Sequence, residues 1–398
     1  MIRFAAIFFA AVASMLPATP ASDSALRAAL QKDLDQYLSA RAKPEHISAI
    51  SLSISLHGQQ QNINLTAGTT KYGGGGGDPA APQQLWQIGS NTKAFTAAII
   101  LQLEAEGKLN INQTIGQFLP QYPAWKNITI HRLLDMTSGV PGYDLVDQML
   151  ADYAAHPKRN ITAAQLIAYV YPGNPHAPAP TKGYAYSNTG YILAELIIEK
   201  VTHNTYTSEL ERRFLRSDLG LTSTYYSGTM YPAGILNRMV SGYFYSHDAD
   251  NAGLKPLLGL DIHADSVSWM KSAGAIVSTP EDLTRWARAL YTGPMLAPKQ
   301  RAELFSLVSL KNGKPIKTTT PEDPRAFGLG VAQMTTPETG KVWFYEGMTL
   351  GYRMLHIYLP KQDAVIAFGL NSQPDSKQNQ SGKLMISIFE TLHKAGKI

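Results

Sequence analysis

Ser90 and Lys93 stand three residues apart in the run WQIGSNTKAFTAAIILQLEAEGK, residues 86–108, a spacing that puts both side chains on one face of a helix's first turn. A serine hydroxyl is a weak nucleophile until a base takes its proton. A lysine amine one turn away can be that base once burial or another cation lowers its pKa. At a helix N-terminus the unpaired N–H groups and the macrodipole also favour a developing negative charge. The chemistry this suggests is nucleophilic acyl transfer, although the spacing alone equally describes a helix N-cap followed by a solvated lysine. The same spacing recurs at Ser268 and Lys271, where Gly274 and Pro280 interrupt any long helix; only Ser90 opens one.

A second constellation lies in KGYAYSNTGY, residues 182–191. In an extended loop residues i and i+2 point the same way, so Tyr186 and Asn188 can face one pocket across Ser187. A phenol can relay a proton there, and an amide can hold a substrate carbonyl or the lysine amine. As a bare tripeptide it is also ordinary loop sequence.

Positioning these groups requires a framework. After Ser90 the residues Ala94, Phe95, Ala97, Ala98, Ile99, Ile100, Leu101 and Leu103 cover nearly a whole helical circumference, which predicts a helix enclosed by protein and stopping near Gly107. Upstream, Asp23 to Leu38 has helical spacing, Ile47 to Leu56 alternates as a strand and Gln61 to Ala67 supplies another. Glycines 73–77 read as a linker, because no Gly-Lys-Ser/Thr follows to cradle a phosphate. Downstream, Ala163 to Val170 and Tyr191 to Val201 predict modest helices, and Pro280 to Leu290 a helix capped by Thr279. Lys341 to Glu346, Tyr352 to Tyr358 and Ala364 to Leu370 read as strands, and Lys383 to His393 as a closing helix. Hairpin connections imply an α+β fold, an antiparallel sheet flanked by helices with an inserted mainly helical region. The expected organisation is a sheet domain from residues 22–108 and 264–398, with 109–263 inserted.

The 398 residues are 44% hydrophobic and 16% charged, ample for a large core. Met1 to Ala21 reads as a secretory signal, with Arg3, an apolar run from Phe4 to Leu16 and small residues before Ala21. That run is too short to span a bilayer, so a periplasmic or extracellular mature chain without stable membrane insertion is expected. The absence of cysteine excludes thiol catalysis, disulfides and thiolate metal sites. Ten scattered histidines show no His-Glu-x-x-His pairing. A net charge of +5 without dense basic stripes argues against a nucleic-acid partner.

Ser90-Asn91-Thr92-Lys93, LLDMTSGVPGY at 133–143, Tyr186-Ser187-Asn188, SAGAIVSTPEDLTRW at 272–286, FGLG at 327–330 and Gly347-Met348-Thr349-Leu350-Gly351 occur in that order. Together they resemble the serine β-lactamase and penicillin-binding-protein-like superfamily, on the branch holding class C β-lactamases, D-alanyl-D-alanine carboxypeptidases, D-aminopeptidases and related esterases. The resemblance covers about residues 45–395, nearly all of the expected mature chain. It implies Ser90 as acylated nucleophile, Lys93 as its base and Tyr186 as the proton relay to the leaving group and then from the deacylating water. Asn188 would bind substrate, and the backbone N–H groups of Ser90 and Met348 would form the oxyanion hole. The implied reaction is acyl transfer to water on a small-molecule or peptide substrate, peptidoglycan-derived peptides included, with no metal or organic cofactor.

Two positions depart from the relatives. Their third motif is usually Lys-Thr-Gly or His-Thr/Ser-Gly, whereas Tyr345-Glu346-Gly347 stands here. The cation that helps hold a substrate carboxylate is missing, which argues against tight binding of anionic substrates. Glu346 either faces a substrate amine or points away from the cleft. Met136 replaces a frequent histidine and reads as structural. The functions implied are a D-alanyl-D-alanine carboxypeptidase-like or D-amino-acid peptidase first, then an esterase or amidase of the same fold, then a class C-like β-lactamase. A non-catalytic binding protein is the reading from another class, and intact Ser90, Lys93 and Tyr186 argue against it.

Overall fold

The computed structural model describes residues 23–73 and 76–398. The signal-like residues 1–21 lie outside the described residues, as do Gly74 and Gly75 of the glycine run. Nine antiparallel strands form the central sheet: β1 (Ala49–Ser55), β2 (Ile63–Gly68), β3 (Leu307–Ser309), β4 (Pro315–Ile316), β5 (Arg325–Phe327), β6 (Ala332–Thr336), β7 (Gly340–Met348), β8 (Arg353–Leu359) and β9 (Ala364–Leu370). Their order is β2-β1-β9-β8-β7-β6-β5-β3-β4. The N-terminal hairpin therefore closes onto the C-terminal strands, with Ile50 opposite Leu370 and Ser55 opposite Val365. Strands β1, β8 and β9 are buried on both faces, which explains their near-continuous apolar sequence.

Five helices frame the sheet and the site: α1 (Asp23–Glu45), α2 (Thr92–Ala105), α3 (Asn188–Thr202), α4 (Pro280–Thr292) and α5 (Ser381–Lys394). On one face of the sheet α1 packs beside α5, where Asp33 accepts hydrogen bonds from Ser387 and Thr391. On the other face lies α4, whose Arg288 reaches Ser55 and Asp363 at the sheet edge. Phe95 of α2 stacks on Trp286 of α4 with ring centroids 3.6 Å apart, which fixes the helix that follows Ser90 against the sheet layer.

Helix α1 runs seven residues beyond the expected Leu38, through Pro44 to Glu45. Its end is tied down by the fully buried Glu45 carboxylate, which accepts from Tyr37, Arg41 and Arg353. A buried charge is tolerated when paired and hydrogen-bonded in this way. Between residues 109 and 263 the chain is mainly short helices and turns around α3. No helix among the described residues is long and apolar enough to cross a membrane.

Candidate active site

Ser90 sits in a single 3-10 turn, Gly89–Asn91, that feeds directly into α2. The turn needs Gly89, whose φ is +52°, a conformation that costs other residues a strained backbone. Space demands it as well, because a Cβ on Gly89 would lie 2.8 Å from both the nitrogen and the oxygen of Met348. The Ser90 turn and the end of β7 are thus in backbone contact. Gly347 meets the same loop, since a Cβ there would overlap the Ile88 carbonyl. Gly347→Ala is expected to push β7 off the Ser90 turn and lower kcat/KM by on the order of 10²-fold, the usual penalty for displacing reacting groups by about an ångström. Steady-state kinetics beside a thermal melt checks this: unchanged kcat/KM would show that the approach is not catalytically tuned.

Lys93 is completely buried. Its Nζ lies 3.0 Å from Ser90 Oγ, 2.6 Å from Asn188 Oδ1 and 2.7 Å from the Ala273 carbonyl. Burial brings its pKa from the ordinary 10.5 down to about 7, with the Asp144 carboxylate pulling the other way. A neutral amine has two N–H groups and one lone pair. Asn188 and Ala273 can take the first two, leaving the lone pair for the Ser90 hydroxyl proton. That is the geometry of a general base for Oγ.

The Tyr186 hydroxyl is 2.6 Å from Ser90 Oγ on its other side, and burial pushes this phenol's pKa upward. It is therefore a proton-bearing phenol at neutral pH. Ser187 has extended backbone and caps α3 by accepting from Gly190 N–H, so Asn188 is the first residue of that helix. Tyr186 and Asn188 both reach the Ser90–Lys93 pair. Below them Met136, with φ +65° and no exposure, accepts the Ser187 N–H on its sulfur.

In β7 alternate side chains part company. Tyr345 is buried and its hydroxyl lies 3.5 Å from that of Tyr186. Glu346 points to the opposite face, where its Oε1 accepts from Ser381 Oγ at 3.0 Å and Asn379 Nδ2 at 3.3 Å. Of the third-motif residues, the structure brings Tyr345, Gly347 and Met348 to the triad, and does not bring Glu346 beside Ser90. The strand's outer edge is also informative. Strand β6 pairs with β7 only as far as Phe344, whereas β8 pairs with it through Met348. Thr349 N–H donates to the Tyr352 carbonyl, so by antiparallel alternation the peptide groups of Met348 and Glu346 face outward. Met348 N–H thus points toward the Ser90 turn, where an oxyanion can sit between the two amides.

The second Ser-x-x-Lys match shows the contrast. Ser268 Oγ is occupied by Ile161 N–H, Ser266 and the Arg159 carbonyl, and Lys271 extends instead toward the Gly228 carbonyl. No nucleophile–base pair forms there.

Sequence reasoning missed three contributors. Asn91 donates to the Ile88 and Met354 carbonyls and holds the Nδ1 side of His356. His356 is buried, which holds its pKa down to about 3, and its Nε2 faces the Tyr291 hydroxyl; this neutral chain braces the Ser90 turn from behind. Asp144 stands one residue past the 133–143 stretch. It lines the cavity over Ser90, and its Oδ1 is buried without a partner among the described residues. An aspartate directly after the motif's tyrosine was the available signal. The cavity has a volume of about 600 Å³.

A family model for beta-lactamase matches residues 34–386. Penicillin-binding protein 4* of Bacillus subtilis (strain 168) is 26% identical over 304 residues, which are 76% of this chain and 64% of that protein. This chain therefore spans less than two thirds of that relative's length. Among solved structures, a D-stereospecific amidohydrolase from Streptomyces sp. is 24% identical with a TM-score of 0.73, covering 91% of this chain and 98% of that one. D-amino acid amidase from Ochrobactrum anthropi SV3, complexed with L-phenylalanine amide, is 22% identical with a TM-score of 0.75, covering 94% and 99%. At these identities the two structures speak for the fold.

Proposed function

Because this chain belongs to the beta-lactamase family and carries Ser90, Lys93 and Tyr186 within hydrogen-bond reach, we propose that it is an acyl-serine hydrolase of amide or ester bonds. Its preferred substrates are D-amino-acid amides and short D-amino-acid peptides bearing a free amine. The observation that carries the acyl-serine reading is the buried Lys93 amine, brought to about 7 and shared between Ser90, Asn188 and Ala273.

The reaction follows from these contacts. Neutral Lys93 takes the Ser90 proton as Oγ attacks the carbonyl carbon, and the oxyanion develops between the amides of Ser90 and Met348. Each such donor is worth about 3 kcal/mol of transition-state stabilisation. The Tyr186 hydroxyl then protonates the departing group, recovering its proton from Lys93 through the shared hydrogen bonds. Water enters by the reverse sequence and releases the acid.

The finer choice among relatives rests on charge. A carboxypeptidase or β-lactamase must hold a substrate carboxylate, and the third motif offers a phenol where a cation is usual. Asp144 adds a carboxylate to the lining of the same cavity, which suits an ammonium. The activities named for the two similar structures, D-stereospecific amidohydrolase and D-amino acid amidase, point the same way. Export of the mature chain is part of the proposal, on the strength of residues 1–21.

The test is a substrate panel read with intact-protein mass spectrometry. D-phenylalanine amide should be hydrolysed faster than its L enantiomer, faster than D-alanyl-D-alanine and faster than a chromogenic cephalosporin. Preference for D-alanyl-D-alanine would restore the carboxypeptidase reading. Turnover of neutral acyl esters alone would select an esterase, which the missing cation equally favours.

A further inference from the structure

The cavity that holds Ser90 does not end at the triad. It continues past β7 to the face carrying Glu346, and its lining includes Phe344, Leu355, Ile357 and Met385. Resting on the acyl-serine reading above, we propose that Glu346 is a specificity-determining residue for the leaving group, selecting amine-bearing groups with a hydrocarbon segment and rejecting those that carry a carboxylate.

The direction of the substrate follows from the proton donor. Tyr186 protonates the leaving group, and the hydroxyl nearest to it along β7 is that of Tyr345, 3.5 Å away. The oxyanion lies at Met348, three residues further on. The leaving group therefore extends from Tyr186 past Tyr345 and over the outer edge of β7, unpaired by β6 beyond Phe344, to the opposite face that carries Glu346, while the acyl portion lies toward Met348 and beyond. In the step itself the Ser90 Oγ–carbon bond forms, the carbon–nitrogen bond breaks, and the nitrogen leaves as a neutral amine with the Tyr186 proton.

Charge over the cavity as a whole is negative, against the chain's net +5. The lining contains five carboxylates, Asp144, Asp248, Asp250, Glu338 and Glu346, and two guanidiniums, Arg325 and Arg353. Arg353 is already committed, 2.6 Å from the buried Glu45 carboxylate. Glu346 is half-buried, its hydrogen-bond donors Ser381 and Asn379 are neutral, and no ion pair involves it among the described residues. No protein cation among the described residues pairs with it directly: Arg353 reaches it only through Asn379, which accepts from the guanidinium and donates to Glu346. A carboxylate brought beside it is repelled in a partly desolvated site, and an ammonium is attracted.

The apolar component has a defined place. Leu355 stands directly opposite Glu346 across the β7–β8 ladder, and Phe344 opposite Ile357 one step along. These three apolar side chains share the Glu346 face, because alternate residues of a strand do so. Met385 of α5 lines the same cavity. A short methylene chain leaving the scissile nitrogen can lie on this strip with an amine at Glu346.

The test uses three D-phenylalanine amides with a common acyl part: the primary amide, the N-(4-aminobutyl) amide and the N-(3-carboxypropyl) amide. Each is a competitor against fluorophosphonate labelling of Ser90 in the full-length protein, which requires no turnover. In the wild type the aminobutyl amide should protect better than the carboxypropyl amide by roughly tenfold. Glu346→Gln should bring that ratio close to one while leaving the probe's labelling rate and protection by the primary amide unchanged. An equal ratio in wild type and variant overturns the inference and leaves Ser90 standing. Parallel loss of protection by all three amides would mean that Glu346 serves only the local fold, through Ser381 and Asn379. Absence of labelling in the wild type would instead overturn the acyl-serine reading.

Discussion

Ser90→Ala leaves a folded protein that forms no covalent adduct with a fluorophosphonate and loses kcat/KM by on the order of 10⁴-fold or more, as expected when the nucleophile of an acyl-transfer unit is removed. The size of the effect follows from how much converges on one oxygen. Ser90 Oγ is 3.0 Å from Lys93 Nζ and 2.6 Å from the Tyr186 hydroxyl, and alanine removes the atom that both groups serve. Stability should change little. The substitution deletes a single hydroxyl at a position 7% exposed, and neither the Gly89 conformation nor the Asn91 hydrogen bonds depend on it. A melting temperature near wild type with no adduct by mass spectrometry is the predicted result. Residual turnover comparable to wild type would remove Ser90 from the mechanism and with it the role of Lys93.

Much of this site was legible because its chemistry is local. Ser90 and Lys93 are linked through one turn of chain, and Tyr186 and Asn188 through one strand-to-helix junction, so their spacing carries their geometry. The surroundings depended on contacts distant in sequence. Nothing in a Ser-Asn-Thr-Lys tetrapeptide reveals that its asparagine holds His356, 265 residues away. That Ala273 would lend its carbonyl to Lys93 was likewise hidden, since backbone acceptors have no sequence signature. For the Glu346 side chain the sequence is compatible with two directions, and the structure places it on the α5 face, against Ser381 and Asn379.

The fold was legible in a similar proportion. Strands with a buried alternation or a continuous apolar run, namely β1, β2, β7, β8 and β9, were readable, and they form five adjacent positions in the sheet. The four strands that extend it, β3 to β6, have five residues at most, too few for a period to declare itself. They owe their existence to pairing with neighbours already in place. The end of α1 was missed for a related reason. Its last turn is set by the Glu45 network rather than by helical periodicity, and Pro44 reads as a stop.

Activity is expected to rise with pH through the titration of Lys93. Only the neutral amine can accept the Ser90 proton, and burial brings its pKa to about 7. On the acid side kcat/KM should therefore grow by about tenfold per pH unit and level off above neutrality. Tyr186 adds no alkaline limb near neutral pH, because burial pushes its phenol upward. Lys93→Met should remove the acid limb and cost about 10³-fold or more in kcat/KM. Asp144→Asn supplies the sharper discrimination. Its carboxylate stabilises the lysine ammonium and so raises the Lys93 pKa; neutralising it should move the acid limb to lower pH. A neutral ester substrate keeps any ammonium recognition by Asp144 out of the measurement. The direction is decisive, since an amine acting as base becomes available at lower pH when a neighbouring negative charge is removed. A limb that stays in place in Asp144→Asn, or survives in Lys93→Met, would assign the titration to another group.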